Sequence, residues 1–120
     1  MIFTSYFAKI KSLPDKFVPI SIALKTPEGI NIEKYKKLMP SYDILNNYRN
    51  NKNKTEYVRR YNHEILENLN PHEVVKDLYG ITGGKTIVLV CYEASDSFCH
   101  RHLVADWLEE NGYHCEEFYS

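Results

Sequence analysis

The chain has 120 residues, 43% of them hydrophobic, which suits one compact domain with its own core and argues against disorder. Fifteen Lys and Arg against sixteen Asp and Glu leave a formal charge of −1, so the surface as a whole does not read as a nucleic-acid binder. No apolar run approaches the roughly 18 residues of a membrane span, and the opening residues lack the charged and apolar regions of a secretory leader. The three cysteines are therefore expected to be reduced thiols of a cytoplasmic protein. The abundance of Asn, Lys, Ile and Tyr fits the AT-rich genome of a low-GC bacterium or its virus.

Residues 2–8 read as the first strand of a sheet. Residues 17–24 are a second apolar, β-branched run, in which Pro19 marks an edge or a strand start. Residues 25–30 hold Pro27 and Gly29 and form a loop. A helix is expected over residues 31–39, stopped by Pro40, and Ser41 opens another short helix. The polar run 49–54 is a solvated loop and the expected mobile segment. Thr55 caps a helix whose Tyr57, Tyr61, Ile65, Leu66 and Leu69 fall near one face. Asn70, Pro71 and Glu73 give a helix start with N-cap, N1 proline and N3 glutamate, and that helix should end at Gly80.

Gly83 and Gly84 turn the chain into Thr86–Cys91. This near-continuous apolar run predicts a strand buried on both faces. Ser95, Asp96 or Ser97 caps the next helix, whose apolar stripe is Leu103, Val104, Trp107 and Leu108. Asn111 and Gly112 stop it, and residues 113–118 make a last strand. The final third is then a right-handed β-α-β unit. The expected fold is a single three-layer, Rossmann-like α/β domain over residues 1–120. It should have a mainly parallel sheet of about four strands and helices on both faces.

The chemistry-bearing residues gather where the Thr86–Cys91 strand ends and the next helix begins. Open α/β sheets bind ligands at such strand ends, anions especially. At about 100° per residue, His100 falls within the arc of Leu103, Val104, Trp107 and Leu108 and points inward. Cys99 and Arg101 flank that arc, and His102 faces solvent. His100 is a candidate acid/base or hydrogen-bonding group, or a tie between strand end and loop. Arg101 is a planar fork suited to phosphate or carboxylate, or a partner for Glu93 or Asp96.

Cys99 at the helix start and Cys91 at the strand end are candidate nucleophiles; as small buried hydrophobes they need no function. Together with His100, and with Cys115 or His102 as a fourth donor, they also offer metal ligands, although their spacing matches no standard zinc signature. Thr4, Ser5 and Tyr6 reach the same crevice if their strand runs parallel to Thr86–Cys91. Tyr57 and Tyr61 present either a stacking face or a core contact. Gly83-Gly84-Lys85-Thr86 lacks the phosphate-loop spacing and precedes its strand rather than following it.

Thr4-Ser5-Tyr6-Phe7, the Tyr57/Tyr61 pair, and Leu89-Val90-Cys91-Tyr92-Glu93 through Phe98-Cys99-His100-Arg101-His102 to Leu108 resemble the bacterial and phage family called domain of unknown function 488. The resemblance spans nearly the whole chain and supplies no settled activity. It implies a small cytosolic α/β domain with its Cys, His and Arg at one end of the sheet. Functional positions carried over are Cys91, Glu93, Cys99, His100 and Arg101, with Ser5 and Tyr6 as second choices. The expected ligand is a phosphate-bearing small molecule such as a nucleotide, held by Arg101 and the helix N–H groups. Tyr6, Tyr57 or Tyr61 would stack on its base. The alternatives are a thiol-redox or metal-site protein, and a non-catalytic sequestering or partner-binding module. No cofactor and no oligomeric state is indicated.

Overall fold

The computed structural model describes residues 1–92 and 98–119. Five strands form one parallel sheet: β1 (Ile2–Tyr6), β2 (Phe17–Ser21), β3 (Glu33–Lys34), β4 (Thr86–Cys91) and β5 (Cys115–Glu117), in spatial order β3-β2-β4-β1-β5. Among the described residues four α-helices accompany them: α1 (Tyr42–Asn51), α2 (Lys54–Glu64), α3 (Pro71–Thr82) and α4 (His100–Glu110). The architecture is the expected three-layer α/β fold, with one strand more than expected and every strand parallel.

The direction of the connections decides what covers each face. Parallel crossovers are right-handed, so connections that travel outward from β1 to β2 to β3 and those that return to β4 and on to β5 belong on opposite faces. The packing agrees. One face, with Ile2, Ile20, Ile22, Ile87, Leu89 and Cys115, is buried against Ile44, Tyr57, Tyr61, Val74, Leu78, Val104 and Leu108 of the four helices. The other face, with Val88 and Val90, packs on Phe7 of a short 3-10 helix, on Ala23, and on the half-buried Ile30 and Ile32. The α-helices thus form one thick layer, and the second layer is thin.

Local chemistry sets the helix starts. The Ser41 hydroxyl accepts from the Ile44 N–H at 3.1 Å. The Asn70 side chain accepts from the N–H groups of His72 and Glu73, with Pro71 at the first position. Asn53 rather than Thr55 caps α2, accepting from Glu56 N–H. α3 runs through Gly80 to Thr82, and Gly83 ends it at φ +67°, a left-handed conformation that glycine adopts without a Cβ clash.

The helix expected over residues 31–39 does not form. β3 and a 3-10 turn, Lys36–Leu38, stand there instead. Ile30 and Ile32 pack on the thin face while Tyr35 and Leu38 pack on the helical face, a division that an extended chain achieves and a helix does not. Pro19 lies on an interior strand, but β3 pairs only with Ile20 and Ser21, so β2 is still an open edge at Pro19 and no ladder bond is lost there.

Leu78 is fully buried among the helices. Leu78→Ala should therefore cost about 2–5 kcal/mol. The expected result is a lower urea midpoint at unchanged slope, and an unshifted midpoint would contradict the assigned core.

Candidate functional site

β1 and β4 are neighbours, in register as Tyr6↔Cys91, but the chain leaves them toward opposite faces. This is a topological switch point, and it opens a crevice at their carboxyl ends. Cys91 ends β4 at that point, and Cys99 is the N-cap of α4, making no side-chain cap bond. Glu93, and the expected caps Ser95, Asp96 and Ser97, lie outside the described residues.

Cys91, Cys99 and His100 come together, all buried. Their sulfur and ring-nitrogen atoms lie within 4.8 Å of one another. The two sulfurs are bonded as a disulfide, so the expectation of reduced thiols holds only for Cys115, which is free. Burial, and then nearby carboxylates led by Glu109, push the Cys115 thiol up to about 12; it stays protonated and inert at neutral pH.

His100 points inward as its helical phase predicts. Its Nε2 is 2.7 Å from the Ile22 carbonyl. A carbonyl only accepts, so Nε2 carries the proton and Nδ1 keeps its lone pair, 3.7 Å from the Cys99 sulfur. Burial chiefly, with the Arg101 charge adding to it, lowers the imidazole to about 4 despite the bond to Ile22.

Arg101 is fully buried and held on several sides. Its Nε and Nη2 donate to the two Glu117 oxygens at 3.1 and 3.0 Å, and Nη1 donates to the Cys91 sulfur at 3.1 Å. The guanidinium also lies 5.7 Å from the Tyr6 ring centroid. Thr4 donates to Glu117 Oε1 at 2.7 Å. Arg101 thus pairs with Glu117, which sequence reasoning missed, while its expected partners Glu93 and Asp96 lie outside the described residues. The available signal was strand parity: Glu117 shares the Cys115 face of β5, and a carboxylate on a buried face needs a cation. Ser5 is buried, its hydroxyl without a partner among the described residues.

In front of the sulfur pair lies a cleft of about 450 Å³, within the usual range for small-molecule sites. Cys91, Cys99 and His100 form its buried floor, and Tyr42, Tyr48, Tyr57, Tyr92 and Phe98 supply its rings. The exposed Lys25, Arg49 and Lys52 line its mouth, and no acidic side chain is among its described lining residues. Tyr48, Tyr57 and Phe98 pack as a triad with centroids 5.1–5.4 Å apart. Tyr61 stacks behind Tyr57 at 6.2 Å, where its hydroxyl donates to the Leu38 carbonyl at 2.5 Å. Arg49 and Lys52 belong to the run read as a solvated loop. In the fold, Arg49 closes α1, and Lys52 takes a left-handed conformation, φ 56°, in the turn to α2.

Two outcomes follow from this geometry. Glu117→Ala removes two acceptors from the buried Arg101 guanidinium and should cost about 3–5 kcal/mol, read from urea unfolding; a loss below 1 kcal/mol would mean that the guanidinium does not depend on Glu117. The His100 pKa lies below its unfolded value of 6.5, so below that pH the unfolded chain takes up a proton that the folded one refuses. The contribution is complete above about pH 6.5 and fades as pH falls toward 4, by on the order of 3 kcal/mol. The NMR titration of His100 should accordingly show a neutral ring down to nearly pH 4, and a midpoint near 6.5 would contradict its burial.

Residues 5–112 match the family described as the Active DUF488-N3 subclade. Searches of curated proteins and of solved structures each give no match. The match takes in β2, β3, β4 and all four α-helices, with the Cys91-to-Arg101 stretch among them, and the chain belongs to the domain-of-unknown-function 488 family.

Proposed function

We propose that the cleft binds a small anionic molecule that also carries a ring, in the class of nucleotides and other phosphate-bearing compounds. One observation carries this reading: three cations, a wall of aromatic rings and no described carboxylate line a single cleft at the switch point. The cations suit phosphate, and the rings suit a base, since stacking on aromatic side chains tolerates any base. The anion contacts fall to Lys25, Arg49 and Lys52 rather than to Arg101, which is committed to Glu117 and Cys91. Tyr48, Tyr57 and Phe98 are the stacking candidates. Tyr6 acts through Arg101, and Tyr61 supports Tyr57 from behind.

The Cys91–Cys99 bond favours a second reading, thiol–disulfide chemistry at the cleft floor. When an incoming thiolate attacks Cys99 Sγ, the S–S pair of electrons leaves on Cys91, and Arg101 beside Cys91 stabilises that charge. The two readings are compatible, because the sulfurs face the space the ligand would occupy.

Thermal-shift and calorimetric titrations with adenosine monophosphate, adenosine and inorganic phosphate test the main reading. The monophosphate should bind tightest. At a concentration 100-fold above its Kd it should stabilise the protein by about 2.7 kcal/mol. Arg49→Ala and Lys52→Ala should each weaken it roughly tenfold, the loss of about 1.4 kcal/mol per charged contact. Absence of binding by any phosphate-bearing compound, or equal binding of adenosine, would overturn it.

A further inference from the structure

We propose that, in their dithiol state, Cys91 and Cys99 join His100 in a zinc(II) site on the floor of the cleft. The three donor atoms already lie within 4.8 Å of one another on three buried side chains. Around a tetrahedral zinc, bonds of about 2.3 Å to sulfur and about 2.0 Å to nitrogen place a sulfur roughly 3.5 Å from the ring nitrogen; Cys99 Sγ and His100 Nδ1 stand 3.7 Å apart. The Cα atoms of Cys91 and Cys99 are 7.4 Å apart. That exceeds the roughly 4.4–6.8 Å usual for directly bonded cysteines and leaves room for two thiolates to share an ion.

The surroundings of His100 add an independent argument. A metal-binding histidine characteristically donates its other ring N–H to a carbonyl or carboxylate, which fixes the tautomer and the ring plane. The Ile22 carbonyl does this at Nε2 and turns the bare Nδ1 toward the sulfurs. Arg101 at the Cys91 sulfur offsets the charge of one thiolate, and Glu117 balances Arg101. Among the described residues three ligands reach the ion and leave its fourth position open, the arrangement of zinc sites that meet a water or a substrate. All three ligands line the cleft, so the open position faces the space a ligand would enter.

The balance is simple. A phosphine reductant opens the S–S bond, taking its oxygen from water and leaving two thiols. Zinc then displaces both thiol protons. The proposal does not rest on the ligand class assigned to the cleft, and nucleotide binding measured on metal-free protein fails or succeeds separately.

Cobalt(II) is the spectroscopic probe for the test and zinc the competitor. Phosphine-reduced, metal-free protein should take up one cobalt per chain, with thiolate-to-cobalt charge-transfer absorption and the strong visible bands of a tetrahedral site; zinc should abolish both. Cys115→Ser should keep the signal and Cys99→Ser should lose it, each with a native circular-dichroism spectrum. His100→Gln, whose amide can still donate to the Ile22 carbonyl, should shift the visible bands. If Cys99→Ser fails to fold, wild-type protein carries the test alone: zinc should slow alkylation at Cys91 and Cys99, mapped by mass spectrometry. Absence of charge-transfer absorption, its loss in Cys115→Ser, its persistence in Cys99→Ser, unshifted bands in His100→Gln, or unprotected Cys91 and Cys99 would each overturn the proposal.

Discussion

The bidentate pair between Arg101 and Glu117 is the interaction on which the working end of this protein depends. It joins the first turn of α4 to the end of β5. Through Thr4 and Cys91 it also reaches β1 and β4, so one guanidinium ties together three parallel strands and the helix that covers them. Such a pair is not a cheap source of stability. Desolvating both charges offsets most of their attraction, and a well-packed apolar substitute is often as stable. What the pair supplies is position. A fork with fixed donors aims Nη1 at the Cys91 sulfur while its other two nitrogens are held by a carboxylate.

The cleft in front of that sulfur follows from topology. The chain leaves β1 toward the thin layer and leaves β4 toward the helical layer, because right-handed crossovers that travel in opposite directions must use opposite faces. The gap between the two departures lies over Cys91, and α4, which follows β4, brings Cys99 and His100 to the same place. The return from β3 to β4 takes α1, α2 and α3 across the helical face. The turn between α1 and α2 thereby places Arg49 and Lys52 at the mouth of the cleft, and Tyr57 in its wall. Sulfurs, rings and cations far apart in sequence meet because two connections diverge at one strand end.

Local features were legible from the sequence and long-range pairings were not. Asn70 caps its helix as read, and a helix begins at Ser41 as read, since a helix start is decided by a side chain and the N–H groups two or three residues ahead. The inward phase of His100 was also legible, because an amphipathic helix carries its own reference direction. Besides the cap of α2, the end of α3 and the Cys91–Cys99 bond, three things escaped. The helix expected before Pro40 gave way to β3, as tertiary packing divided Ile32 and Tyr35 between the two faces of the sheet. The pairing of Arg101 with Glu117, on the last strand, was not read from the sequence. The polar run at residues 49–54 was read as solvated loop, and its residues are indeed exposed. Exposure alone did not reveal that two of its cations frame a cleft, which only the placement of α1 and α2 against Cys91 makes visible.

The state of the two sulfurs decides what the cleft floor offers. Joined as in this structure, Cys91 and Cys99 present a neutral, apolar surface, and no carboxylate stands beside Lys25, Arg49 and Lys52 among the described lining residues. Separated, they become a pair of donors beside the bare Nδ1 of His100, and any charge on Cys91 is countered by the Arg101 guanidinium already 3.1 Å away. His100 need not change between these states. Burial keeps it neutral across the physiological range, and the Ile22 carbonyl holds its proton on the far nitrogen. The fixed parts of the site are thus Arg101, Glu117 and His100, and the variable part is one sulfur–sulfur bond. The anionic ligand proposed for this cleft would meet the same cations over either floor, while the chemistry available beneath it is set by the bond alone.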